Sequence, residues 1–288
     1  MEDNMTNIEI NKRHYDEQLR KINRNAIIER VRNVKAFLDD ATVTDTSWVA
    51  FYEHGGSFRN HLRNARILEL GAGDGLNALC MAAWGAEVVA VDISIVTPTI
   101  VDSIARELGL QSKIKALAGD FREMSFELAS FDFVVGKAFL HHLEHDVEEI
   151  YVEKAAKLLR NNGECRFAEP ATNSQALDKL RWMVPVPGRP SCLSTKAFHD
   201  WKMKDPHPSR ENSADHFRNL GLKYFEEATI IPVGGLERFN RLLPQGRFNR
   251  RYRRFAFKVE RLLPLELQMW MARTQTIIFR RPRRRAQS

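Results

Sequence analysis

Apolar positions along the chain follow two different periods, and the change falls near Asn64. Before it, Ile22, Ala26, Ile27, Ile28, Val31, Val34 and Leu38 recur at helical spacing,. This predicts helical segments over Asn11–Asp39 and Ser47–Arg63. Beyond Asn64, short apolar runs appear at Arg66–Leu70, Glu87–Val91, Ile114–Ala118, Phe131–Val135 and Glu164–Ala168. Amphipathic stretches at Gly75–Trp84, Ile95–Gly109 and Glu144–Arg160 lie between them. Such alternation predicts a parallel sheet with crossover helices. Gly85, Gly109 and Gly163 stand at or near the positions where a left-handed C-cap is favoured,.

After Glu169 the alternation fails. Residues 171–212 hold five of the eleven prolines and read as a helix plus an irregular loop. A helix over Ser213–Leu220, a strand over Lys223–Ile231 and a last strand over Thr274–Phe279 follow. The expected architecture is α/β: a doubly wound, mostly parallel, seven-stranded Rossmann-like sheet. Its divisions are an N-terminal helical cap (1–64), a core (65–170), a lid inserted after the fifth strand (171–212) and closing strands (213–281). A basic helical insertion (232–273) lies within the last of these, and a basic tail (282–288) follows.

With 43% hydrophobic and 28% charged residues in 288, disorder throughout the chain is excluded,. Three cysteines, Cys80, Cys165 and Cys192, form no CxxC pair, which excludes a disulfide scaffold or thiolate zinc site; no metal is expected,. The polar N-terminus lacks a signal-peptide apolar stretch, and no run of about 18 apolar residues occurs,. These features predict a cytoplasmic protein. The net charge of +7 is unevenly spread: Arg241–Ser288 carries 14 Arg or Lys against Glu260 and Glu266, a local +12. A phosphate-rich partner, nucleic acid or anionic lipid, is the kind of ligand such asymmetry suits.

The sharpest motif runs from Ile67 to Leu76, where a strand turns through Gly71, Gly73 and Gly75 into a helix, followed by Val88–Asp92. Glycines permit the turn and close ligand approach. An acid ending the next strand is placed to hold ribose hydroxyls. A dinucleotide fingerprint would need glycine at position 76, which is Leu76, and an anionic pyrophosphate at the helix N-terminus,. Glu69 and Asp74 are poorly suited to phosphate and suit a cationic ligand.

The segment resembles motif I of the class I S-adenosylmethionine-dependent methyltransferases, ExGxGxG with an acid closing the second strand. Gly119-Asp120-Phe121, the stretch Phe131–Leu143 and the turn Leu158–Gly163 resemble later motifs of that family in order and spacing. The AFLHHL stretch is most similar to the ubiquinone/menaquinone-biosynthesis-type small-molecule enzymes. Gly136-Lys137-Ala138-Phe139 stands where many amino-group methyltransferases carry NPPY or DPPY. The resemblance implies S-adenosyl-L-methionine as cofactor and roles for individual residues. Gly71, Gly73 and Gly75 would wrap its methionine part, and Glu69 would orient its ammonium. Asp92 would bind the ribose, Ile93 would flank the adenine, and Asp120 with Phe121 would meet its edge. Lys137 is expected beside the cofactor, holding a substrate anion or pairing with Glu69 or Asp120.

His141 and His142 follow the fourth strand at the ligand-binding edge and are candidate general bases, although histidines there also cap or pack helices. Glu169, ending the fifth strand, is a candidate to orient an acceptor or to pair with an arginine. His145 is expected to face solvent. Arg189, His199, His207 and Arg210 give the proline-rich loop cationic content, for a lid or a solvated connector. Tyr15, Trp48, Phe51 and Tyr52 are expected to cover the cofactor or to join the core.

In Gln245–Leu263, Phe248, Tyr252, Phe255, Val259 and Leu262 form one helical face with arginines around it,. That pattern suits an interfacial membrane segment, packing on the core or, less well, nucleic acid. The expected function is methyl transfer to O, C or N of a small, amphiphilic or lipid-like molecule. The alternatives are an RNA methyltransferase guided by the basic face, or a non-catalytic cofactor-binding protein docked at a membrane.

Overall fold

A computed structural model describes residues 7–54, 57–185, 189–203, 208 and 210–284. The apolar periodicity before Asn64 resolves into four helices rather than two: α1 (Asn7–Leu19), α2 (Arg24–Arg32), α3 (Val34–Thr44) and α4 (Thr46–Tyr52). The breaks are made by polar caps to which an apolar stripe is blind. Asn23 accepts from the Ala26 amide, and Asp45 accepts from the Ser47 and Trp48 amides,. Asn33, at φ −107° and ψ 39°, separates α2 from α3. The second predicted segment ends as a helix at Tyr52 and continues only as a 3-10 turn over Phe58–His61.

The sheet then alternates with helices. In order come β1 (Arg66–Leu70), α5 (Leu76–Ala83), β2 (Glu87–Asp92), α6 (Val96–Leu108), β3 (Ile114–Ala118), β4 (Phe131–Lys137), α7 (His145–Leu158) and β5 (Leu159–Pro170). The chain continues through α8 (Gln175–Met183), α9 (Thr195–Lys202), α10 (Ala214–Tyr224), β6 (Phe225–Val233), α11 (Arg247–Glu260), α12 (Leu265–Met271) and β7 (Thr274–Pro282). The seven strands lie in the order β3-β2-β1-β4-β5-β7-β6. All neighbours are parallel except that β7 runs antiparallel between β5 and β6. The order reverses between β1 and β4, which opens a crevice at their carboxyl ends. Gly85 and Gly109 take the left-handed conformation expected of them, but Gly163 does not. Its place is in a bulge of β5, where pairing jumps from Phe131↔Leu159 to Phe133↔Glu164, and an added Cβ would meet the Asp132 and Arg160 carbonyls.

Both faces of the sheet are covered. On one, a continuous apolar cluster runs from Leu19 of α1 through Phe51 of α4 and Ile67 of β1 to Val233 of β6 and Phe257 of α11. On the other, α7 and α10 bury Val152 and Phe217 against Phe131, Phe167 and Phe279. The N-terminal helices are therefore part of the main core. Arg166 of β5, 1% exposed, pairs with Glu164 and donates to the carbonyls of Phe51 and His54, tying the end of α4 to the sheet.

Helix α11 packs on a different face from the one its pattern marks. Asn249, Ala256, Phe257 and Glu260 are buried, whereas Phe248, Phe255 and Leu262 are exposed. The buried polar side chains are satisfied: the Asn249 amide donates to the Asn240 carbonyl, and Glu260 accepts from the Gly234 and Leu236 amides. That is why polar positions could become the packed ones.

Candidate functional site

A cavity of about 460 Å³ opens where the strand order reverses, over the ends of β1, β2 and β4,. The first turn after β1 shapes its floor. Gly71, Gly73 and Gly75 all take positive φ, at 68°, 55° and 74°. At Gly71 an added Cβ would come within 2.2 Å of the Phe139 ring, whereas at Gly73 it would meet nothing within 4 Å. Gly73 thus leaves room for a ligand, and Gly71 leaves room for the segment after β4. Asp92, at the end of β2, accepts from the Gly73 amide at 2.7 Å and from the Ser94 amide at 2.8 Å. Burial raises its pKa, against those two amides. Ile93 and Phe121 also line the cavity.

Glu69 is the most informative residue here. It is 1% exposed and accepts from the Asn77 side-chain amide through Oε1 at 2.6 Å. Its Oε2 lines no hydrogen bond at all, although it is buried. Burial pushes its pKa to about 8, outweighing the Asn77 bond,. Asn77 sits at the second position of α5, and its Oδ1 in turn accepts from the Tyr52 hydroxyl at 2.8 Å. Neither Asn77 nor the functional link of Tyr52 follows from the glycine motif. The one signal available was position, since the first turn of α5 must face the end of β1.

Five acidic side chains line the cavity, those of Glu69, Asp74, Asp92, Glu144 and Asp146, against a single ammonium, Lys137. Lys137 lies 4.9 Å from the Trp48 ring centroid, a cation–π contact rather than a direct pair with Glu69 or Asp120,. The residues present fit a cationic ligand with an ammonium group. The buried Oε2 of Glu69 has no partner and can give up its proton to pair as a carboxylate with a cation, a glycine opens onto free space, and the other acids outnumber Lys137,.

The other expected residues are distributed less simply. Asp120 lies outside the cavity lining, between Gly119 and Phe121, which do line it. Its carboxylate is gripped by the Arg122 guanidinium at 2.6 Å and accepts from the Tyr151 hydroxyl. Burial works to raise its pKa, but the Arg122 bonds outweigh it and hold the carboxyl low. Glu169 is fully buried and also outside the lining. It accepts from the amides of Phe139 at 2.9 Å and Leu140 at 2.8 Å, and from His141 Nδ1 at 2.7 Å. It therefore clamps the segment after β4 and orients His141, and has no oxygen left to meet an acceptor. His142 does line the cavity, with the Tyr15 hydroxyl 3.2 Å from its Nδ1.

No described residue of 171–212 lines the cavity; Tyr15 and Trp48 of the N-terminal helices do. Arg189 turns inward, donating to the carbonyls of Arg181 and Val184, and His199 is exposed on α9. His207, with 186–188, 204–206 and 209, lies outside the described residues, as do 285–288 of the basic tail. Arg210 is an anchor: it donates to the Leu140 and Leu143 carbonyls and pairs with buried Glu148 at 2.8 Å. Glu148 also bonds His216 at 2.7 Å, and the exposed His145 stacks on His216. The ligand atoms of His145, Glu148 and His216 lie within 4.8 Å of one another. With the Arg210 guanidinium already on Glu148, a further cation there would meet like charge.

Strand order, glycine turn and carboxylate-lined crevice define a methyltransferase-type Rossmann sheet. Residues 67–163 match the family described as a methyltransferase domain. Over those residues the chain carries a methyltransferase domain. It is 30% identical over 113 residues to a sarcosine/dimethylglycine N-methyltransferase of Aphanothece halophytica, covering 39% of this chain and 40% of that protein. It is 34% identical over 113 residues to a ubiquinone biosynthesis O-methyltransferase of Xanthomonas oryzae pv. oryzae, covering 37% and 44%. The chain thus spans about two fifths of the length of these curated relatives. Among solved structures, phosphoethanolamine N-methyltransferase 2 of Haemonchus contortus superposes with a TM-score of 0.52 at 12% identity, covering 91% of this chain and 61% of that one. At that identity the likeness concerns the fold.

Proposed function

We propose that this protein transfers a methyl group from S-adenosylmethionine to an oxygen, carbon or nitrogen of a small, amphiphilic molecule. The observation that carries the reading is the unpaired Oε2 of Glu69 in a cavity lined by five acidic side chains. S-adenosylmethionine supplies a methyl carbon already activated by its sulfonium. The protein's contribution is then alignment and exclusion of water. Glu69 receives the ammonium, held in place by Asn77 and, behind it, Tyr52. Asp92 takes the ribose hydroxyls, Gly73 gives the backbone approach, and Ile93 and Phe121 wall the adenine.

The acceptor enters past His142 and Tyr15. Leu143, Val147 and Phe139 supply apolar wall beside them, which suits an acceptor with a hydrocarbon portion. His142 is the residue placed to take a proton from a hydroxyl or an activated carbon. Glu169 and Arg210 act by holding Phe139–Leu143 in place. Peripheral association with an anionic membrane would bring such an acceptor to the enzyme.

The test combines binding with transfer. The protein should bind S-adenosylhomocysteine in calorimetry, and Asp92→Ala should weaken it about 100-fold, since hydrogen bonds to a charged group contribute ~1.5–3 kcal/mol each. With labelled methyl donor and fractionated cell extract, counts should appear in the lipid or small-molecule pool. Unchanged binding in Asp92→Ala would overturn the cofactor placement, and label confined to RNA would overturn the acceptor class.

A further inference from the structure

Helix α11 holds to the protein by one side and turns its apolar row outward. Arg250 and Arg254 are drawn to Asp40 of α3 on one flank. On the other, the Tyr252 hydroxyl donates to the Leu236 carbonyl. Phe248 and Phe255, seven residues apart and so nearly eclipsed on the helix, are left 67% and 61% exposed, and Leu262, in the turn just after it, 83%,. Leu242, Leu265 and Trp270, in the flanking segments, are 77%, 64% and 47% exposed. Single exposed apolar residues are ordinary, but six in three successive segments of one basic insertion mark a contact surface,.

The charges beside the row specify its occupant. Arg251 stands three residues after Phe248 and four before Phe255; Lys258 stands three after Phe255 and four before Leu262,. Arg247 precedes them on the same flank. None of these three makes an ion pair among the described residues. A second copy of this chain seated on the patch about a two-fold axis would set like charges against each other. Nucleic acid would use the cations and gain little from Leu242, Leu262 and Leu265. The geometry points to an anionic lipid bilayer, with α11 lying in its surface, Phe248, Phe255 and the following Leu262 dipping among the acyl chains and Arg247, Arg251 and Lys258 at the headgroups. No helix among the described residues is long and apolar enough to cross a membrane. This deepens the reading of an amphiphilic acceptor and rests on it for its purpose, whereas the binding itself is measured without methyl transfer.

The experiment is co-sedimentation of the whole protein with vesicles of phosphatidylcholine alone or with one third phosphatidylglycerol. Binding is expected only to the anionic vesicles and should weaken with salt. Reversing Arg247, Arg251 and Lys258 to Glu should lower partitioning on the order of 100-fold or more. The triple variant Phe248→Ser, Phe255→Ser, Leu262→Ser should also lose binding, at unchanged charge. S-adenosylhomocysteine affinity, measured on both variants, shows that they are folded and reports on the cofactor site separately. Absence of wild-type binding to the anionic vesicles overturns the proposal. So does binding that survives either set of substitutions, or an apolar variant that shifts only the oligomeric state.

Discussion

Replacing Glu69 with Gln tests the centre of the site, because it keeps the shape and removes the charge. The Gln carbonyl can still accept from Asn77, so the local packing should survive. What is lost is a charge-assisted bond from the ligand ammonium to Oε2, worth ~1.5–3 kcal/mol, or roughly a 10- to 150-fold weaker dissociation constant. The pH dependence is the sharper signature. In the free folded protein Glu69 keeps its proton to about pH 8, whereas its ordinary value is 4.5. An ammonium prefers the carboxylate, so binding S-adenosylhomocysteine should release a proton below pH 8. Affinity should then rise with pH toward that value, by up to about tenfold per unit. Stability of the ligand-free protein runs the other way: the folded state holds a proton that the unfolded state has lost, so stability falls as pH rises from 4.5 through 8. Calorimetric titrations between pH 6 and 8.5 in buffers of different ionisation enthalpy measure the released proton directly. A Glu69→Gln variant that binds as tightly as wild type, or that keeps the same pH slope, would refute the assignment.

Three further outcomes are expected. His142→Ala should lower kcat about 100-fold or more for an acceptor that must lose a proton, with a much smaller change in S-adenosylhomocysteine affinity; equal losses in both would make His142 a wall residue only. Arg210→Met leaves Glu148 buried with one cation fewer and should cost ~3–5 kcal/mol in denaturant unfolding,. Adding Glu148→Gln should restore part of that, and a single variant as stable as wild type would remove Arg210 from its anchoring role. Glu169→Gln keeps an acceptor for the Phe139 and Leu140 amides but loses the charge held against His141. Its effect should fall on kcat and its pH profile rather than on cofactor binding, and an unaltered profile would reduce Glu169 to a structural clamp.

Periodicity alone made the β-α alternation legible because each strand of a parallel sheet is an apolar run between punctuating turns. Gly71, Gly73, Gly75 and Asp92 were legible for the same local reason: a tight turn and an acid at the next strand end are short-range features. Helix breaks at Asn23, Asn33 and Asp45 were not read, since an apolar stripe continues across a cap. Asn77 and Tyr52 were missed as partners of Glu69 because they meet it only after α5 and α4 pack on β1.

The amino-acid sequence by itself determined the class of fold and the negative, glycine-shaped crevice that suits a cationic cofactor. Tertiary structure decided which chemistry-bearing groups reach that crevice. Glu169 and His141, adjacent to the active edge in sequence terms, are consumed by each other and by backbone amides, while His142, one residue on, faces the cavity. It also decided which side of α11 is covered. An amphipathic pattern states that a helix has an apolar face, but buried hydrogen bonds at Asn249 and Glu260 let the helix pack about a quarter turn away from Phe248 and Phe255. The apolar row is therefore left for a partner outside the chain.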